Sequence, residues 1–229
     1  MAKRGPRPSP TRPPRPIGLA DLERARLLPT FFAGAAVTVA RGLIGCALVH
    51  RGRAGVIVET EAYLGPDDLA SHARFGPTSR TSVMFGPGGV SYVYLCYGIH
   101  QMFNIVTGGD GEAQAVLIRA IAPYVGLADD PGVGRGPGKV TQALRLDHRQ
   151  DRKDLSRGPL FVAAALVPPR VASGPRIGVA YAGAWADEPL RFWWDDHPAV
   201  SRTPGRATTR GPVRGTRRGT RRGTTRGTR

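Results

Sequence analysis

The chain is short of cysteine, lysine and long apolar runs, and each shortage removes a class of protein. Two cysteines in 229 residues, Cys46 and Cys96, make no disulfide framework. Neither shows the paired spacing of a zinc site, so a reduced intracellular setting is expected. His50, His72, His100, His148 and His197 are scattered, none at ligand spacing, and no metal is expected. The most apolar stretch, residues 27–40, ends at Arg41 and is too short to cross a bilayer. Residues 1–16 carry basic side chains but have six prolines and no apolar centre, so they do not read as a signal peptide. The expectation is a soluble, cytoplasmic chain, nucleoid-associated in a bacterium, with no membrane partner. Gly86-Pro87-Gly88-Gly89 and the glycines of 132–138 lack the strand–loop–helix setting of a phosphate loop, so no nucleotide cofactor is expected. Lysine is confined to Lys3, Lys139 and Lys153.

Positive charge, by contrast, is abundant, at a net +16. Its placement matters more than its size. Residues 1–16 hold five basic side chains and residues 201–229 hold ten arginines, with no acid in either segment. Subtracting those fifteen from 33 leaves 18 basic against 17 acidic residues between 17 and 200, a nearly neutral body. The ends therefore imply salt-sensitive affinity for polyanions and locate no chemistry. Three segments follow: a disordered basic Pro-rich arm (1–16), one folded domain (17–201) and a disordered Arg-Gly-Thr tail (202–229).

Within the body, residues 18–29 read as a helix stopped by Pro29, and 35–43 as a second helix ending before Gly45. Short β-rich runs follow at 47–50, 56–60, 91–97, 102–107 and 115–121. A short amphipathic helix is expected over 139–146, then strands at 160–163, 177–181 and 190–194. Strands without regular βα alternation predict an α+β domain, a single mixed unit around a curved, mostly antiparallel β-sheet with flanking helices.

Three blocks hold residues capable of chemistry. In the first, period two puts Glu59 and Glu61 on one strand face with Tyr63 beyond them, and His72 follows eleven residues after Glu61. A carboxylate beside an aromatic ring and a histidine can activate water next to a stacked base; equally, the glutamates can be a solvated strand face and His72 the start of a loop. In the second, Tyr92 and Tyr94 share a face and Tyr97 stands at a strand-to-turn junction before Gly98. An exposed ring there can wedge between base pairs and an inner ring can line a pocket. The plain alternative is that strands favour tyrosine, the preferred reading for Tyr92. The third block is Asn104 with Arg119, the latter after an apolar run: either the point where a strand surfaces, or a guanidinium set to hold a phosphate or carboxylate.

Read together, VETEAYLGPDD, the Ser71-His72 pair, MFGPGG (84–89), YVYLCYGIH (92–100), MFNIV (102–106), VLIRAIAP (116–123), GPGKVTQAL (136–144) and PLRFWW (189–194) resemble, in order and spacing, the 3-methyladenine (alkyladenine) DNA glycosylase family across about residues 25–201. The resemblance implies a base-excision-repair enzyme that flips alkylated or deaminated purines out of double-stranded DNA, hydrolyses the N-glycosidic bond and leaves an abasic site. It places Glu61 as the general base for water, and Tyr63 and His72 around the flipped base with Tyr94 closing the pocket. Tyr97 falls at the intercalating position and Asn104 at one that excludes guanine. Arg119 falls where the nucleotide phosphate is held and the catalytic centre ordered. With no lysine in the three blocks that hold the candidate catalytic residues, a monofunctional enzyme without a Schiff-base step is expected, acting as a monomer. Three departures stand out: a short Gly/Pro-rich run over 124–135 where relatives carry a helical segment, Thr81-Ser82 where relatives often carry Asn, and the Arg-Gly-Thr tail. Two other readings share parts of this pattern, a non-catalytic nucleic-acid binder using its basic ends and a hydrolase of free nucleosides.

Overall fold

The computed structural model describes residues 18–168 and 170–201, so the readings made for the two basic ends lie outside the described residues. The described residues open with three helices, α1 (Leu19–Arg24), α2 (Pro29–Phe32) and α3 (Ala36–Gly42). Asp21 in the first turn of α1 accepts from the Gly18 N–H at 3.0 Å, which satisfies one of the free donors at that helix start. Pro29 begins α2 rather than ending the helix before it, because a first-turn proline gives up only an N–H that has no helical partner. That splits the single helix expected over 18–29.

The rest is an α+β arrangement around one antiparallel sheet, in the order β3-β4-β5-β2-β1-β6. Its strands are β1 (Ala47–His50), β2 (Arg53–Tyr63), β3 (Ser91–Cys96), β4 (His100–Thr107), β5 (Gln114–Val125) and β6 (Leu160–Ala163). A further pair, β7 (Val171–Gly174) and β8 (Arg191–Trp194), attaches through β8 to residues 59–61 of β2. The first part of β2 pairs instead with β1. One edge of the long strand thus serves two neighbours in succession, and the sheet curls into a half-barrel. Helices α3 and α4 (Pro137–Leu144) close its inner side over a core built from Phe32, Leu43, Ile57, Phe103, Ile118 and Leu144. No helix among the described residues is long and apolar enough to cross a membrane.

The strand expected over 177–181 does not form. Gly178 and Gly183 both take positive φ, and the chain there is a bend leading into a 3-10 segment, Ala180–Ala186. The strand of this region lies earlier, in β7. Residues 126–136 are a turn-rich connection rather than a helix, and β5 runs past its expected end to Val125.

Two irregularities in the β2–β5 ladder set up the functional region. Ile57 pairs with Ile121, Glu59 with Ala120 and Thr60 with Ile118, so Val58 and then Arg119 are each left without a partner. These are compensating bulges, one per strand. A bulge bends the strand locally and re-aims the side chain it carries.

Candidate active site

The bulge at Arg119 turns its guanidinium toward two carboxylates of β2. Arg119 Nε donates to Glu59 Oε1 at 3.1 Å and its Nη1 lies 3.3 Å from Glu61 Oε1. Both glutamates have 0% exposure and Arg119 has 7%, which removes the solvated-face reading of Glu59 and Glu61 and the surfacing-strand reading of Arg119. Burial acts to lower the Arg119 pKa, but Glu61 and Glu59 beside it outweigh that and raise it, so the arginine stays charged.

The two carboxylates are used differently. Glu59 Oε1 also takes Arg191 Nη1 at 3.3 Å and Ser201 Oγ at 2.9 Å, while Oε2 takes the Ser201 N–H at 2.8 Å. Its lone pairs are spent on joining β2, β5, β8 and the end of the described chain. Glu61 Oε1 accepts from the Ile177 N–H at 2.7 Å and Oε2 from Tyr63 Oη at 3.0 Å. Glu61 also lines a cavity of about 390 Å³, a volume typical of small-molecule sites.

That cavity is walled by rings. His72 enters from a 3-10 turn, His72–Phe75, started by Ser71, whose side chain accepts from the Ala73 N–H at 3.1 Å. The His72 and Tyr94 rings meet edge-on with centroids 4.6 Å apart, and Tyr92 and Tyr94 lie 5.3 Å apart on β3. Tyr63 stands at the end of β2, and Asn104 on β4 donates from Nδ2 to the Tyr92 carbonyl at 3.1 Å. Tyr63, His72, Tyr94, Asn104, Glu61 and Arg119 all line the one cavity.

Tyr97 also reaches its rim, at the tip of the β3–β4 hairpin, where it is 90% exposed. It holds φ of 49°, followed by Gly98 at 70°. Left-handed backbone costs a residue with a Cβ roughly 1–2 kcal/mol, and an exposed ring recovers little of that in the free protein.

Electrostatics keep the ring wall neutral. Burial, and then Arg80 and Arg74, push the His72 pKa down to about 4. Its Nδ1 lies 3.0 Å from Tyr92 Oη. The Tyr63 hydroxyl is held well above its usual pKa by burial and by Glu61, so it donates to that carboxylate.

Several wall residues escaped the sequence reading. Tyr92, there assigned to ordinary strand preference, lines the cavity and bonds His72. Arg80 donates from Nε to Tyr92 Oη at 3.2 Å, and its guanidinium carbon sits 4.8 Å from the Tyr94 ring centroid. One of its nitrogens is 3.2 Å from both His72 ring nitrogens, a geometry of stacking on the ring face, since it cannot point along both lone pairs. Arg80 had a detectable signal, eight residues beyond His72 in a segment between two matched blocks. Tyr181 and Ile177 come from the misassigned 177–181 segment and had none. Thr81 and Ser82 are engaged internally, Thr81 Oγ1 with the Gly76 carbonyl at 2.7 Å and Ser82 Oγ with Arg152 at 2.9 Å.

Comparison with known proteins agrees with this geometry. Residues 30–198 match the profile of the methylpurine-DNA glycosylase family. A protein of Anaeromyxobacter sp. (strain Fw109-5) is 48% identical over 186 residues, covering 79% of this chain and 94% of its own length. One of Myxococcus xanthus (strain DK1622) is 48% identical over 182 residues, covering 76% and 93%. One of Legionella pneumophila (strain Paris) is 43% identical over 184 residues, covering 78% and 99%. All three carry the provisional name 3-methyladenine DNA glycosylase.

Proposed function

This chain belongs to the methylpurine-DNA glycosylase family and is a base-excision-repair enzyme acting on damaged DNA, and on that premise we propose how its residues divide the work. The substrate is a duplex carrying an alkylated or deaminated purine, 3-methyladenine among them. The observation that carries the reading is Glu61: a buried carboxylate, bonded to a backbone N–H and a tyrosine hydroxyl, lining a ring-walled cavity large enough for a base.

The target bond lies inside a stacked duplex, so the nucleotide must be extruded at a cost of about a few kcal/mol. Tyr97 fills the gap that the base leaves, while the base enters between Tyr63 and His72, with Tyr94 supporting His72 from the side. Stacking contributes roughly 1–3 kcal/mol per base and offsets the extrusion. Because His72 ionises only near 4, it stays uncharged at neutral pH and does not oppose a cationic alkylated purine, which also gains cation–π attraction from the tyrosines. Asn104, held by Tyr92, rejects the exocyclic amine of guanine.

A purine alkylated at N3 or N7 leaves readily with the electron pair of the glycosidic bond. The sugar becomes oxocarbenium-like, and the Glu61 carboxylate stabilises that charge. Water attacks the anomeric carbon and gives its proton to Glu61. Arg119 holds Glu61 in place and receives the nucleotide phosphate. Among the described residues no lysine lines the cavity, in keeping with water as the nucleophile and a monofunctional enzyme. We read the enzyme as a monomer that works in the cytoplasm and, in a bacterium, at the nucleoid. Residues 17–201 are the catalytic domain, and the segments 1–16 and 202–229 add sequence-independent affinity for the duplex.

Hypoxanthine release from duplex DNA and from free inosine, measured side by side, tests the reading. Release from the duplex alone is expected, and comparable kcat/KM on inosine would make the protein a nucleoside hydrolase. A covalent DNA adduct after borohydride treatment would overturn the monofunctional assignment.

A further inference from the structure

Behind Tyr63 lies an ion pair with no solvent exposure on either side chain, Asp68 with Arg176, and neither residue has been given a role above. Arg176 grips the carboxylate with both forks, Nη1 to Oδ2 at 2.5 Å and Nη2 to Oδ1 at 2.9 Å. The same two nitrogens donate to the Ala62 carbonyl at 2.9 Å and the Trp185 carbonyl at 3.2 Å. Asp68 in turn accepts from the N–H groups of Leu64 at 3.1 Å and Ala70 at 3.0 Å.

Stability is a poor reason for such a pair. Taking both charges out of water costs several kcal/mol per ion, and well-packed apolar replacements of buried pairs are often neutral or stabilising. Its partners point elsewhere. Ala62 and Leu64 flank Tyr63, and Ala70 lies two residues before His72. Ile177, the residue after Arg176, donates its N–H to Glu61 Oε1 at 2.7 Å. The Arg176 guanidinium carbon sits 4.8 Å from the Tyr63 ring centroid. One buried pair thus touches the segments that carry the water activator, one stacking ring and the approach to the other. Ile177 stands on a bend with Gly178 at positive φ, Arg176 just precedes it, and no strand ladder fixes either residue there.

We propose that Asp68 and Arg176 are positioning residues for catalysis: the pair locks the Ile177 N–H onto Glu61 and braces Tyr63, so that the carboxylate and the stacking ring keep one fixed relation. This rests on the assignment of Glu61 as water activator. With the pair gone, the cavity and the DNA-binding surface persist, but the Glu61 carboxylate loses its fixed orientation. A displacement of about 1 Å at a reacting group can cost on the order of 10²-fold in rate.

The test uses the full-length protein in three forms, D68L/R176M, R176K and E61Q, with single-turnover release of the base and equilibrium binding to lesion duplex measured for each. The expected result for D68L/R176M is a melting temperature near the parent's, binding within about threefold, and release slower by roughly 10- to 100-fold. R176K keeps the charge and loses the fork, and release should slow by at least about fivefold with binding unchanged. Should the double variant fail to fold, R176K decides. Release within twofold of the parent in the folded double variant, or in R176K where the double does not fold, overturns the proposal. So does a loss of binding as large as the loss of rate. E61Q separates the two levels: if it releases base normally, the Glu61 assignment fails, whereas an inactive E61Q beside fully active pair variants sinks the positioning role alone.

Discussion

The aromatic pocket and the basic cleft on the same body differ in every property but concavity. The pocket, about 390 Å³, carries the buried Glu61 and is lined by the rings of Tyr63, His72, Tyr92, Tyr94 and Tyr181, with Tyr97 at its rim. The cleft is larger, about 480 Å³, and is lined by Arg51, Arg149, Arg152, Lys153 and Arg157 with Asp154 as its one acid. It runs between the β1–β2 turn and the segment 149–160, and among the described residues its one ring is the His50 imidazole. Neither volume nor positive charge therefore marks the chemistry. What marks it is a desolvated carboxylate with part of its surface turned to a cavity, because a charge excluded from water interacts strongly with whatever charge develops beside it. Solvated cations such as those lining the cleft act on a polyanion at longer range and in a salt-dependent way.

Substitutions can break this contrast or sharpen it. Away from Glu61 itself, the largest effect is expected at Arg119. Arg119→Met leaves two buried carboxylates without their shared cation and should slow single-turnover release by roughly 10²- to 10³-fold. Glu59→Gln should act on the fold first, costing about 3–5 kcal/mol in urea unfolding, because Arg119 and Arg191 lose a buried partner. If it instead slowed release as much as Arg119→Met with stability intact, Glu59 would join the chemistry. Tyr97→Ala removes a wedge worth about 1–3 kcal/mol, or about 5- to 150-fold in lesion-duplex affinity, without lowering the melting temperature of the free protein. A drop in that temperature would make Tyr97 a packing residue.

The pocket also responds to acid. The folded pKa of His72, about 4, lies below its ordinary 6.5, so between those values the unfolded chain binds a proton that the folded one does not. The His72 contribution to stability is present above pH 6.5 and is lost as pH falls toward 4. His72→Phe should flatten the decline in urea midpoint across that window; an unchanged slope would mean that His72 is protonated in the folded pocket. The smallest effect belongs to the cleft. Neutralising Arg51, Arg149 and Lys153 together should leave the single-turnover rate unchanged within twofold, and any weakening of DNA binding should fade as salt rises.

Much of this was legible from the chain. Glu61, Tyr63, His72, Tyr94, Asn104 and Arg119 were all singled out by type and spacing, and all line one cavity. Period two correctly put Glu59 and Glu61 together, since the β2 bulge falls before them at Val58 and the shift between Glu59 and Thr60 is taken up by Arg119 on β5. The bulge itself was not legible: nothing local distinguishes Arg119 from an arginine in a regular strand, and its aim depends on the register with β2. Pro29 was read as a stop and serves as a start, because the same missing N–H suits both. The Asp68–Arg176 pair, 108 residues apart, joins segments that no spacing rule connects. The strand expected over 177–181 failed because its apolar pattern was weighed without Gly178 and Gly183, whose positive φ ends any ladder there.

The most direct test of the division between pocket and cleft is Glu61→Gln, assayed for single-turnover release of 3-methyladenine and for equilibrium binding to the same duplex. The variant keeps the size of the side chain and the acceptor for the Ile177 N–H while removing the base. Release should fall by at least about 10³-fold, with binding held within a few-fold. Near-normal release from that variant would contradict the account.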